Sequence, residues 1–224
     1  MNSLTDDAAL RTLLDELHAR SLAQDASLAA YYAGGAEPPT GYEDETSAGR
    51  SFWRDKFVAL DRDKAELVYA LCRATGATRI IEAGTSFGVS TLYLAAAVRD
   101  NGGGLVTTCD IEPDKVAVAR SHYDRVGLAP YVDVRLGDIR ETLRDLDAPV
   151  DVLLLDIWAT VAADVVALVG PRLRVGGLVM ADNTIMRRAL YAGVFAYLHD
   201  PANGFTTMTM PYEGGLELAV KTAA

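Results

Sequence analysis

The stretch RIIEAGTSFGVS, residues 79–90, constrains this chain more than any other part of it. Arg79 to Glu82 reads as a short buried strand. Gly84 and Gly88 bracket a tight turn, and Val89 to Val98 (VSTLYLAAAV) reads as a helix. A strand running into a glycine turn and a helix is the first turn of a nucleotide-binding sheet. Its glycines let backbone N–H groups approach a ligand closely, and the helix N-terminus favours a negative group there. A second strand, Leu105 to Cys109, ends in Asp110. A carboxylate about twenty residues past such a loop is placed to accept hydrogen bonds from ribose hydroxyls.

Glycine spacing separates two ligand classes. A dinucleotide fingerprint is G-x-G-x-x-G. Here the pattern is Glu82-x-Gly84-x-x-x-Gly88, with an acid in place of the first glycine. A pyrophosphate is disfavoured beside Glu82, whereas a cationic sulfonium cofactor with an ammonium group is not. The loop resembles motif I of class I S-adenosylmethionine (AdoMet) methyltransferases. The competing reading is an ordinary strand, turn and helix without a ligand; Asp110 argues against it.

The length of 224 residues suits one α/β domain with a sizeable core. We divide it into an N-terminal helical or lid segment, 1–60, and a main domain, 61–224. Half the residues are hydrophobic, yet no apolar run is long enough to span a bilayer. The acidic, amphipathic N-terminus resembles neither a signal peptide nor a transit sequence. With 21 Lys and Arg against 31 Asp and Glu, the net charge is −10. That opposes broad nucleic-acid or anionic-membrane binding. Cys72 and Cys109 lie in apolar segments without CxxC spacing and read as reduced core thiols, so a cytoplasmic location is expected.

Leu10, Leu13, Leu14, Leu17, Leu22 and Leu28 give residues 4–30 helical periodicity. Residues 31–50 are broken by Gly34-Gly35, Pro38-Pro39 and Gly41 and read as a loop or lid. A short helix is expected over 51–59, and another over 61–75 with Asp61 as N-cap and Gly76 as the stop. From Arg79 onward strands and helices alternate. Strands are expected over 80–83, 105–110, 132–136, 150–155 and 176–181. The intervening helices are expected over 89–98, 113–126, 139–145, 160–172 and 187–199. Two further strands, 205–211 and 216–221, flank the hairpin signal Glu213-Gly214-Gly215. The expected fold is α/β: a mostly parallel seven-stranded sheet with helices on both faces and a C-terminal antiparallel hairpin. The N-terminal helix and the hairpin offer apolar surface beyond one core, which predicts a homodimer.

Ligands of open α/β sheets bind beyond the carboxyl ends of the strands. The polar residues there are Glu82 and the loop from Gly84 to Ser90, Asp110, Gly137-Asp138, Asp156, and Asp182-Asn183. Asp138 precedes a helix, so capping and ligand binding are both open for it. Oxygen ligands from adjacent strands, Asp156, Asp182 and Asn183, suit a hard cation such as Mg²⁺.

The pieces DRDKAELVYALCRATGATRIIEAGTSFGVSTLYLA, TCDIEP, LGD, LLLDIWAT and MADN, spread over residues 61–183, together resemble the cation-dependent catechol and caffeoyl-CoA O-methyltransferases, including small bacterial members. The resemblance implies a Rossmann-like class I methyltransferase fold and transfer of a methyl group from AdoMet to a small hydroxylated, catechol-like acceptor. It implies that Gly84, Ser86 and Ser90 surround the methionine end of AdoMet, with Ser90 at its carboxylate. Asp110 would hold the ribose, Asp138 and Trp158 would lie near the adenine, and Glu82, Gly88, Ile111 and Asp156 would belong to the same cofactor site. Asp156, Asp182 and Asn183 would hold the divalent cation, making Asp156 and Asp182 the catalytic carboxylates. One departure stands out. The family's lysine after the first metal aspartate, a helper in deprotonation, is here Ala159. A metal-free AdoMet enzyme and a noncatalytic AdoMet-binding protein are therefore the alternatives. His18, His122 and His199 are proton acceptors by chemistry alone.

Overall fold

The computed structural model describes residues 4, 6–33, 52–146 and 149–223. Seven strands form one sheet: β1 (Arg79–Ala83), β2 (Leu105–Asp110), β3 (Val132–Leu136), β4 (Val150–Leu155), β5 (Leu173–Asp182), β6 (Phe205–Met210) and β7 (Leu216–Lys221). Their spatial order is β3-β2-β1-β4-β5-β7-β6. The first five strands pair in parallel, and β7 pairs antiparallel to both β5 and β6. This is the expected architecture. The strand order reverses between β1 and β4, where a crevice opens at the carboxyl ends.

Side-chain alternation sorts each central strand between two cores. Ile80, Val152, Leu154, Leu178 and Met180 face a core shared with α1 (Ala8–Leu22), α3 (Arg62–Ala74), α4 (Val89–Asp100) and α5 (Pro113–Arg125). Ile81, Ala83, Leu153, Leu155, Val179 and Ala181 face the other core, with α6 (Ile139–Thr142), α7 (Ala159–Val169) and α8 (Ala192–His199). Burial on both faces explains why the central strands read as continuous apolar runs.

The N-terminal periodicity yields two helices, α1 and α2 (Asp25–Ala33). Leu10, Leu13, Leu14 and Leu17 are buried, while Leu22 is exposed. At the break the Gln24 side chain clamps Phe57: its Oε1 accepts from Phe57 N at 2.9 Å, and its Nε2 donates to Phe57 O at 3.4 Å. Most of the lid stretch, 34–50, lies outside the described residues. The helix expected over 51–59 is confined, among described residues, to Phe52 and Trp53; residues 56–60 are irregular.

Two helices differ in length for visible reasons. α6 stops at Thr142, whose carbonyl accepts from Arg135 Nη1 at 2.6 Å. α8 begins at Ala192 rather than at 187. Asn183 is left-handed, with φ +58, and the N–H groups of Ile185 and Met186 both donate to Gly214 O at 2.9 Å. The segment after β5 is tied to the hairpin turn before it can become helical.

Candidate active site

A cleft of about 410 Å³ lies over the carboxyl ends of β1, β2, β4 and β5. Its floor includes Gly84, Ser86, Asp110, Ile111, Asp156, Trp158 and Asn183; its roof includes Trp53, Arg54, Lys56 and Val58. Seven of the residues singled out from the sequence therefore share one cavity.

The loop after β1 is rigidly seated. Thr85 N donates to Cys109 O at 3.0 Å, and the Thr85 and Thr108 hydroxyls are 2.7 Å apart. Gly84, at φ +99, leaves no space for a side chain, because a Cβ there would lie 2.1 Å from Asp156 O. Ser86 (φ +45) and Asn183 are the only non-glycine residues with positive φ among those described, and both line the cleft. Backbone conformations of this kind concentrate at functional sites.

Asp110 organises the β2 side. Its Oδ2 accepts from Ser86 N at 2.7 Å and its Oδ1 from Glu112 N at 2.9 Å. Burial pushes its pKa up, against the pull of these bonds and of Lys115. A carboxylate offers about four acceptor positions, so two remain for a ligand in the cleft.

Other candidates stand behind or away from the cleft. Glu82 is fully buried and accepts from the Thr91 hydroxyl at 2.5 Å; its other oxygen lacks a partner among the described residues. Burial pushes its pKa up to about 7, against the pull of the nearby Ser90, Thr91 and Thr108 hydroxyls. Ser90 is buried with it. Gly88 caps α4 in the left-handed region, where a Cβ would lie 2.3 Å from the Tyr123 hydroxyl. Asp138 caps α6: it accepts from Arg140 N at 2.8 Å and pairs with the Arg140 guanidinium at 2.6 Å. That hydrogen bond lowers its pKa, and Asp138 is not part of the cleft wall. These residues shape or support the loops rather than line the cavity.

The expected metal ligands are brought close but not opened to a common point. Asp182 is 5% exposed, and both its oxygens are engaged. Lys64 Nζ donates to Oδ1 at 2.7 Å, and Asn183 Nδ2 donates to Oδ2 at 2.7 Å. The Asn183 Oδ1 faces Gly214, 2.4 Å from where a Cβ there would stand. Asp156 faces the cleft; burial, then Asp182 and Glu82, push its pKa well up. A hard divalent ion needs carboxylate oxygens directly in its shell. As folded, this set does not fit one. No group of three or more His, Cys, Asp or Glu side chains suited to a metal occurs among the described residues either.

Lys64 escaped the motif reading. It is 1% exposed and also pairs with Asp61 Oδ2 at 2.9 Å. Burial opposes its charge, but the bonds to Asp182 and Asp61 prevail and raise its pKa. The signal was the spacing 64, 68, 72, which puts Lys64 on the buried face with Val68 and Cys72. Asp61 precedes α3 as expected, but its side chain meets Lys64 and makes no cap bond.

The roof comes from the segment that the sequence marks as helical or lid, through contacts that carry no motif. Arg54 reaches Glu112 at 3.4 Å and Asp114 at 3.0 Å, across the start of α5. Trp53 meets Trp158 edge-on, with centroids 6.1 Å apart. The histidines serve elsewhere: His18 Nε2 lies 2.9 Å from the Tyr93 hydroxyl and His122 Nδ1 2.9 Å from Phe87 O. His199 packs against Phe195. Ala159 lines the cleft and offers no proton acceptor.

Residues 81–184 match a family model described as a methyltransferase domain. The matched stretch is just under half of the chain and contains the strand ends that floor the cleft, and the motif-based resemblance to O-methyltransferases holds. A Mycobacterium tuberculosis protein named as an O-methyltransferase is 35% identical over 123 residues, 54% of this chain and 54% of that protein. The catechol O-methyltransferase of Niastella koreensis is 28% identical over 132 residues, covering 57% of this chain and 59% of its own. The matches thus span about half the length of the curated relatives. In fold, an O-methyltransferase from Bacillus cereus in complex with SAH superimposes with TM-score 0.68 at 19% identity, over 94% of this chain and 91% of that one. At that identity the likeness to the methyltransferase domain is one of fold.

Proposed function

We propose that the protein is an AdoMet-dependent O-methyltransferase acting on a hydroxyl of a small, catechol-like acceptor. The observation that carries this reading is Asp110 on the cleft wall, its carboxylate held by Ser86 N and Glu112 N with acceptor capacity to spare. The names of the relatives and the SAH of the Bacillus cereus structure support it. When bound, AdoMet supplies an electrophilic methyl group on a positively charged sulfur. The chain's own contribution is placement and electrostatics. Asp110 would accept from the ribose hydroxyls, Ile111 and Trp158 would wall the base, and the Gly84–Ser86 backbone would bound the methionine end. Asp156 would face the sulfonium, whose positive charge would favour the ionised form of this carboxyl. Trp53 and Val58 would cover the acceptor and keep water out.

The resemblance also implies Mg²⁺ at Asp156, Asp182 and Asn183. The pairing of Asp182 with Lys64 and Asn183 favours a metal-free reaction. A homodimer in the cytoplasm completes the proposal; no described helix is long and apolar enough to cross a membrane. Calorimetry with AdoMet, SAH and NAD, followed by mass spectrometry of a catechol panel, tests it. Binding of AdoMet and SAH with a methylated phenol is expected. NAD binding without AdoMet binding would reject the proposal.

A further inference from the structure

Lys64 and Asp182 come together through topology. Asp182 ends β5 on the same face as Leu178 and Met180, and that face packs against the core that includes α3. α3 turns Lys64 inward with Ala65, Val68 and Cys72. The ammonium is closed off from solvent, bonded to Asp182 at 2.7 Å and Asp61 at 2.9 Å. On the other side Asn183 donates to the second Asp182 oxygen, with its own carbonyl against Gly214. An incoming divalent ion would have to strip one of these donors from Asp182. Removing the ammonium would strand a buried positive charge beside a dication, an arrangement that low-dielectric surroundings penalise strongly.

We propose that Lys64 is the built-in cation of the acceptor end of the cleft: its ammonium occupies Asp182 in place of a divalent ion, so methyl transfer runs without a divalent cation. This rests on the methyl-transfer reading above. Lys64 is a positioning residue in this scheme, since it acts through Asp182 and does not line the cleft.

The test is a titration of the protein with Mn²⁺, followed by electron paramagnetic resonance of the free ion. Wild type, Asp182→Asn, Lys64→Met, and Lys64→Met combined with Asp182→Asn are compared, each with SAH binding by calorimetry as a check on folding. Wild type is expected to leave Mn²⁺ free at millimolar concentration. Lys64→Met releases Asp182 and should gain Mn²⁺ affinity by about tenfold or more, toward what an oxygen-ligand site provides. The added Asp182→Asn should abolish the gain. Wild-type turnover should be unchanged by EDTA. Micromolar Mn²⁺ binding by wild type that is lost on Asp182→Asn would overturn the proposal. So would a Lys64→Met protein that binds SAH and gains no affinity. If Lys64→Met does not fold, the wild-type titration and the EDTA assay decide between the same outcomes. Failure of wild type to bind SAH would instead sink the methyltransferase reading, and the Mn²⁺ result would stand apart from it.

Discussion

Asp110 illustrates how one side chain joins the loop to its ligand. Its oxygens fix Ser86 N and Glu112 N, so truncation removes both the ligand contacts and the loop's anchor. Asp110→Ala should weaken SAH binding by about 1–3 kcal/mol, the usual cost of leaving buried donors unpaired. Calorimetry measures it, and unchanged affinity would remove Asp110 from the site. Ala159 acts by what it lacks. With no proton acceptor at the start of α7, acceptors of lower hydroxyl pKa should turn over faster at neutral pH. Ala159→Lys should speed the less acidic ones, by at most the ~10²–10⁴-fold typical of general base help. Rates across a series of substituted catechols check both expectations.

At the scale of elements, the roof over the cleft is a segment of the N-terminal region pinned at two ends. Gln24 holds Phe57, and Arg54 holds the first turn of α5 through Glu112 and Asp114. Arg54 and Asp114 are largely exposed, so this link is a weak latch. Arg54→Ala should speed SAH release by about 1.4- to five-fold, in line with about 0.2–1 kcal/mol for exposed ion pairs, and added salt should mimic it. Stopped-flow fluorescence of Trp53 and Trp158 would report the rate. The sequence marked 1–60 as a helical or lid segment but not the contacts of this roof, because the helix expected over 51–59 gives way to irregular chain placed by distant residues. The strands and their terminal acids were legible for the opposite reason. A strand buried on both faces must be apolar until it reaches the crevice, so Asp110, Asp156 and Asp182 mark its end. What those acids do was legible only in part. The contacts of Asp138 are made with a neighbour two residues away, Arg140, but the Lys64 partnership of Asp182 spans 118 residues and needs the folded sheet.

For the molecule as a whole, two buried groups set opposing pH trends. Burial lowers the pKa of His18 from 6.5 to about 4, with Arg62 assisting and Asp15 and Asp61 opposing. Between those values the unfolded chain takes up a proton that the folded one refuses, so stability falls as the pH drops from 6.5 toward 4. Glu82, raised from 4.5 to about 7, works the other way. The unfolded carboxyl ionises first, so stability falls as the pH rises from 4.5 toward 7. Each contribution is on the order of 3 kcal/mol at its limit, and the two largely cancel in the overlapping range. Single replacements should expose them. Relative to wild type, His18→Phe should gain more at pH 4.5 than at pH 7, and Glu82→Gln more at pH 8 than at pH 5. Urea unfolding at these pH values measures the differences, and parallel pH profiles for all three proteins would refute the assignment.

The place of β7 in the sheet has a consequence for how the chain is made. β7 lies between β5 and β6 although it follows both in sequence. While a ribosome is still synthesising residues up to Lys221, β5 has β4 on one side and nothing on the other. The exposed ladder groups then belong to Leu178–Asp182, an apolar segment that in the finished sheet pairs with residues 216–220. An uncovered edge of that kind recruits foreign strands readily. Nascent chains stalled before residue 216 should therefore depend on trigger-factor-like chaperones and aggregate when released, whereas chains extended past residue 221 should not.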